Sequence, residues 1–214
     1  MAPSGRLFPY VQYGCGLSVA AGWRNFDGSP RLRVEKLPLL GRALTRNRLL
    51  FPPEVEFGDI VRGLPIPEAY CKGVYCSHVL EHLCLRDCLQ ALRNTLAHLE
   101  PGGTFRLVIP DLRLLIEQYI SSASPRAASD FMRASCLGLE SRPRGPRGLL
   151  SAWLGNSPHL WMWDAASMGE ALAEAGFVAI RPAVFGDAED PMFAHVEERM
   201  RWREGIGFDC RRPA

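Results

Sequence analysis

The sequence predicts an α/β fold, a parallel-dominated sheet with helices on both faces, and three observations carry that reading. Strand-like and helix-like segments alternate along the chain. The strand-like runs finish on Gly-x-Gly, Asp, Asp and Ser-His, where the ligand-facing residues of an open α/β sheet belong. Of 214 residues, 47% are hydrophobic and 22% charged, enough apolar material for one sizeable core. A second independent domain would leave both halves short of core, so residues 1–214 are read as a single domain.

Leu7 to Tyr13 reads as the first strand, with Pro9 tolerated at a start or edge, and it runs into the turn Gly14-Cys15-Gly16. Trp23 to Asp27 is the second. The six residues between Gly16 and Trp23 leave room for about one or two helical turns, so the first crossover is abbreviated. Leu37 to Leu50 suits a helix. Glu54 to Phe57 is a third strand ending in Gly58-Asp59-Ile60, and Val74 to Cys76 a fourth ending in Ser77-His78.

The clearest helix runs from Asp87 to about Leu99, with an apolar stripe of Leu85, Cys88, Leu89, Leu92, Leu96 and Leu99. Asp87 with Gln90 resembles a capping box, and Pro101-Gly102-Gly103 ends the helix. Phe105 to Ile109 is a fifth strand. Asp111 caps a helix through about Ile120, and Ser167 with Glu170 caps another that stops at Gly176 before a strand from Phe177 to Val184.

Between Ser121 and Asp164 the periodicity fails. Ser141 to Gly148 is turn-rich and basic, and a loop this much longer than about 12–15 residues is read as a lid. The run Leu160-Trp161-Met162-Trp163 would suit the cover of a substrate.

A net charge of +2, from 25 Lys and Arg against 23 Asp and Glu, gives no field to attract a polyanion, so nucleic acid is not expected as a partner. Lys36 and Lys72 are the only lysines among many arginines, a codon bias expected of a GC-rich genome. No apolar run approaches the roughly 20 residues of a membrane span, and no signal-type stretch precedes Pro9. Seven irregularly spaced cysteines fit reduced thiols, and a cytoplasmic setting is expected.

Gly-x-Gly permits close backbone approach to a ligand. An acidic residue after the second strand can accept hydrogen bonds from ribose hydroxyls, and one after the third from an adenine amine. Together they describe a nucleoside site.

The ordered series Gly14-Cys15-Gly16, Asp27, Gly58-Asp59-Ile60, Leu64-Pro65, Ser77 to Leu83 and Leu99 to Gly103 resembles the class I S-adenosylmethionine-dependent methyltransferases, in particular the bacterial methyltransferase type 11 group. The resemblance covers about residues 7 to 120 and implies a Rossmann-like fold with S-adenosylmethionine as cofactor. It implies that Gly14, Cys15 and Gly16 pass beneath the methionine part, Asp27 holds the ribose, Asp59 and Ile60 flank the adenine, and Cys76, Ser77 and His78 line the methyl side. Two positions depart from it: Gln12 stands where members usually carry an acidic residue, and Ser18 where a glycine is frequent.

His78-Val79-Leu80-Glu81-His82 also spells H-x-x-E-H, which on a helix would set three polar side chains on one face, able to grip a divalent ion. The reading preferred here has no metal, with Glu81 favouring a helix start and His82 packing. His78 is the first candidate for general base, with Asp111 and His159 behind it. By analogy with bacterial relatives that accompany glycosyltransferases, the acceptor is expected to be a small molecule or saccharide hydroxyl. A catalytically degenerate binding module is the alternative. A nicotinamide dehydrogenase would need a third glycine and a later acidic residue. A nucleic-acid enzyme would use Arg142, Arg144 and Arg147, without interleaved aromatics.

Overall fold

A computed structural model describes residues 8–37, 50–145 and 158–214. Seven strands form one sheet: β1 (Tyr10–Tyr13), β2 (Arg24–Asp27), β3 (Val55–Phe57), β4 (Cys71–Ser77), β5 (Leu99–Pro110), β6 (Val178–Ala183) and β7 (Gly205–Arg211), in the order β3-β2-β1-β4-β5-β7-β6. The first five run parallel, and β7 is antiparallel to both β5 and β6. Tyr13 lies opposite Phe26 and Cys76, and Asp27 opposite Phe57. That register brings the turns after β1 to β4 to one edge, where ligands of open α/β sheets bind.

Among the described residues the helices are α1 (Pro30–Glu35), α2 (Leu85–His98), α3 (Leu112–Ser121), α4 (Ala127–Ala134) and α5 (Ala165–Ala175). Among the described residues no helix joins β1 to β2, so the abbreviated crossover stands. The helix expected over 37–50 lies almost wholly outside the described residues, as does the end of the basic segment beyond Gly145. The core packs Phe26, Leu92, Leu99, Leu107, Met168 and Leu172 between sheet and helices, with Phe105 stacked on Phe177 at 5.4 Å.

Several local expectations shift. Helix α2 starts from an extended Cys84 without a side-chain cap, so Asp87 already lies inside its first turn, favouring the dipole rather than capping. Its buried face is Cys88, Ala91, Leu92, Thr95 and His98, and Leu85 is exposed. Pro101-Gly102-Gly103 does not end the helix but lies within β5, which begins at Leu99. Asp111 caps α3 as expected, accepting from Arg113 N. The capping box of α5 sits three residues earlier than expected, with Asp164 as cap and Ser167 as its reciprocal partner, while Gly176 closes the helix at φ 101°.

The stretch after β6 had no expected structure. It supplies two 3₁₀ turns, Pro191–His195 and Arg199–Trp202, and then β7. Arg106, wholly buried on β5, fastens it: Nε lies 2.6 Å from Glu197, Nη2 2.8 Å from Asp187 and Nη1 3.2 Å from Asp209.

Candidate functional site

A cleft of about 520 Å³ opens at the carboxyl edge of β1 to β4, within the range of small-ligand sites. Its floor is the turn after β1. Gly14 has φ 66°, and a Cβ there would meet Val79 Cγ2 at 2.1 Å, so both conformation and packing demand glycine. Gly16, at φ 56°, has open space where a Cβ would be, so the backbone presents itself bare to the cleft.

Asp27 is buried at the end of β2. Its Oδ2 accepts from Gly16 N at 2.9 Å and its Oδ1 from Ser29 N at 2.8 Å, tying two strand-end turns together. Each oxygen keeps capacity to accept a further hydrogen bond, and Asp27 lines the cleft. Asp59 accepts from Val61 N and lies 3.4 Å from Arg62. Ile60, buried beside it, gives its carbonyl to Asn94 Nδ2. Gly14, Gly16, Asp27, Asp59, Ile60 and His78 all line the cleft.

Four expected residues sit differently. Cys76 lies with its side chain in the hydrophobic core, where burial raises its thiol well above the usual range. Cys15 is buried behind the turn, and burial with Asp27 nearby pushes its thiol up to about 12. Ser77 and Cys15 line a smaller cavity behind the cleft rather than the cleft itself. Asp111 does not line the cleft either, because its carboxylate is engaged in capping α3.

The Ser77 to Leu83 segment is not the helix that would put His78, Glu81 and His82 on one face. His78 adopts φ 54°, an unusual value for a residue with a side chain, and only Leu80–His82 forms a 3₁₀ turn. His78 Nε2 contacts the Arg201 carbonyl at 2.7 Å and Nδ1 lies 3.2 Å from Glu81 Oε1. Burial opposes its charged form, but Glu81 and the Arg201 carbonyl outweigh burial and raise its pKa.

Glu81 is completely buried, and neither carboxylate oxygen receives a well-aligned hydrogen bond. The excursion returns onto this turn, since Leu160 N and Trp161 N both donate to the Glu81 carbonyl. Its return sets His159 Nε2 4.0 Å from Glu81 and stacks His159 edge-on against His82, centroids 4.8 Å apart. Burial, aided by His82 and opposed by Glu81, lowers the His159 pKa. Glu81, His82 and His159, rather than the three residues spelled by H-x-x-E-H, come together, their donor atoms all within 4.8 Å of one another, a set of two imidazoles and a carboxylate of the kind that holds divalent metals.

A family model described as a methyltransferase domain matches residues 23–181, more than half of the chain. The chain belongs to the methyltransferase-domain family. Its sheet order is that of the class I methyltransferases, whose cofactor is S-adenosylmethionine. The solved complex of the Haloferax volcanii Trm112 methyltransferase activator with a methyltransferase is similar at 16% identity, over 96% of this chain and 82% of that one, with a TM-score of 0.50. Haemonchus contortus phosphoethanolamine N-methyltransferase 2, solved with phosphomonomethylethanolamine and S-adenosylhomocysteine, is similar at 9% identity over 96% of this chain and 48% of that one, with a TM-score of 0.51. At these identities the likeness is one of fold, and the chain spans about half of the second protein. No curated protein matches the sequence.

The cleft also contains residues that sequence reasoning missed. Val79 packs over the Gly14 turn, and Arg201 reaches the cleft from the second 3₁₀ turn. Val79 was legible as the residue after His78. Arg201 was not, because nothing periodic marks its segment.

Proposed function

We propose that this methyltransferase uses S-adenosylmethionine to methylate a hydroxyl of a small-molecule or saccharide acceptor in a bacterial cytoplasm. The observation that carries the cofactor reading is the bare Gly14–Gly16 turn braced by Asp27 at the mouth of the cleft. When bound, S-adenosylmethionine supplies a methyl group on a sulfonium centre. The protein's own contribution is proximity, alignment and exclusion of water. Asp27 would orient the ribose hydroxyls, and Asp59 with Ile60 the adenine.

At the acceptor end, His78 has both nitrogens engaged, Nε2 on the Arg201 carbonyl and Nδ1 beside Glu81, which suits it to positioning Glu81 rather than to taking a proton. His159, whose pKa is lowered, stays neutral and is the better proton acceptor, with His82 beside it at the cleft wall. The segment 121–164 acts as the lid, its return anchored on Glu81. Within it, Trp161 is exposed and free to meet an acceptor, whereas Trp163 is a core residue. All seven cysteines are free, and no helix among the described residues is long and apolar enough to cross a membrane.

Titration calorimetry tests the cofactor site. The wild-type chain is expected to bind S-adenosylmethionine and its demethylated product, and Asp27→Ala to weaken both by about 1–3 kcal/mol. Methyl ether formation on a panel of saccharides and hydroxylated small molecules, followed by mass spectrometry, tests the acceptor. A chain that binds no cofactor would be the degenerate binding module, a reading that Gln12, with no charge to offer, favours.

A further inference from the structure

The two departures, Gln12 and Ser18, have partners that change their meaning. Gln12 Nε2 donates to Asn25 Oδ1 and to the Ser18 carbonyl, and Asn25 Oδ1 also accepts from Ala20 N. The Gln12 amide therefore holds the abbreviated crossover together, and β1 offers the site no negative charge.

That charge arrives from elsewhere in the chain. Behind the Gly14 turn lies the small cavity lined by Gln12, Ser18, Tyr75, Ser77, Glu198 and Arg201, and Arg201, Tyr13 and Gly14 line both this cavity and the main cleft. Glu198 Oε1 accepts from Ser18 Oγ at 2.6 Å, and Oε2 lies 3.3 Å from Arg201 Nε. The Ser18 hydroxyl and then Arg201 hold the Glu198 carboxyl below its usual range. The hydroxyls of Tyr75 and Ser77 are buried in the same place without a well-formed hydrogen bond, which is costly for polar groups that find no partner.

The position of Glu198 is fixed by its neighbour. Glu197 points the opposite way, onto the buried Arg106 guanidinium, and its Oε2 accepts from Gly186 N at 3.0 Å. Arg106 also carries Asp187 and Asp209, so the segment bearing Glu198 and Arg201 is clamped to the centre of the sheet.

We propose that Glu198 and Arg201 read the amino-acid end of the cofactor, Glu198 receiving the ammonium and Arg201 the carboxylate. Paired opposite charges at the rim of a half-closed cavity match a zwitterion, and charge-assisted hydrogen bonds are the stronger kind. The buried Ser77 hydroxyl lies beside them as a further donor. The inference rests on the S-adenosylmethionine reading and relocates the charge that β1 lacks to the stretch between β6 and β7.

The test uses two thioether nucleosides, S-adenosylhomocysteine and methylthioadenosine, which differ in that the second lacks the amino-acid group. By calorimetry, Glu198→Gln and Arg201→Gln are each expected to weaken S-adenosylhomocysteine about 10–100-fold while leaving methylthioadenosine within about twofold. Retained methylthioadenosine binding also reports that each variant is folded. Equal losses for both ligands would assign the pair a structural role and overturn the proposal, as would S-adenosylhomocysteine binding unchanged in both variants. A wild-type chain that binds methylthioadenosine but not S-adenosylhomocysteine overturns it while sparing the nucleoside site, whereas one that binds neither removes the cofactor reading beneath it.

Discussion

The two halves of the sheet are built by different means. Strands β3, β2 and β1 are three, four and four residues long, and among the described residues the six-residue α1 is the only helix between β1 and β4. Strands β4 and β5 are seven and twelve residues long, and α2 packs on β5 while α5 packs on α2 and β6. The long half closes on apolar side chains such as Leu92, Leu107 and Met168. The short half buries Val11, Phe26, Leu32 and Val55 as well, and adds polar ties: Gln12 to Asn25, and Asp27 to Gly16 and Ser29. Between β1 and β2, where no helix intervenes among the described residues, side-chain hydrogen bonds to turns hold the chain, and the nucleoside end of the site is built on those ties.

Breaking the long half's anchor should produce the largest effect. Arg106→Ala leaves the buried Glu197 carboxylate without its partner and should lose about 3–5 kcal/mol in urea denaturation. Arg106→Met, which keeps the volume but not the charge, should lose as much if the unpaired acids decide the matter.

In the short half, Gly14→Ala should cost about 1–3 kcal/mol, since the new methyl overlaps Val79. Combining it with Val79→Ala relieves the overlap, so a double mutant clearly more stable than the additive sum is expected. Strict additivity would show that the positive φ alone sets the cost.

The smallest effect lies at the seam, where two histidines titrate in opposite senses. The raised pKa of His78 adds stability that is complete below its ordinary 6.5 and is lost as pH rises through its higher folded value. The lowered pKa of His159 removes stability as pH falls below 6.5 toward its folded value. Melting temperature should therefore pass through a maximum near neutrality, and Glu81→Gln should flatten the alkaline limb by removing the partner of His78. An alkaline limb unchanged in Glu81→Gln would assign the His78 shift to the Arg201 carbonyl instead.

The short half was largely legible in the sequence, because turns must be written in residues that tolerate turns. Gly14, Gly16, Asp27 and Asp59 all stand at strand ends, where the cleft needs them. The opposite side was harder to read. The strand end at Ser77-His78 was legible, but His78 takes a left-handed conformation that no pattern of apolar residues announces, and a single 3₁₀ turn follows instead of the helix on which His78, Glu81 and His82 would share a face. Glu198 precedes, and Arg201 lies in, a 3₁₀ turn too short to show a period, and the meaning of Glu198 depends on Ser18, 180 residues away. A signal for β7 did exist: Ile206, Phe208 and Cys210 alternate with Gly207 and Asp209, and the two buried ones, Phe208 and Cys210, join the core.

Strand β7 follows β6 in the chain yet lies inside the sheet, between β5 and β6. During synthesis β5 and β6 must therefore leave the ribosome with open edges and wait. Until residues 205–211 emerge, Arg106 lacks Asp209, and the sheet presents the kind of unpaired backbone that neighbouring nascent chains capture. The order of translation thus makes the last strand to appear the one that completes the sheet, and a pause just upstream of it is the interval in which this chain is most exposed to misassembly.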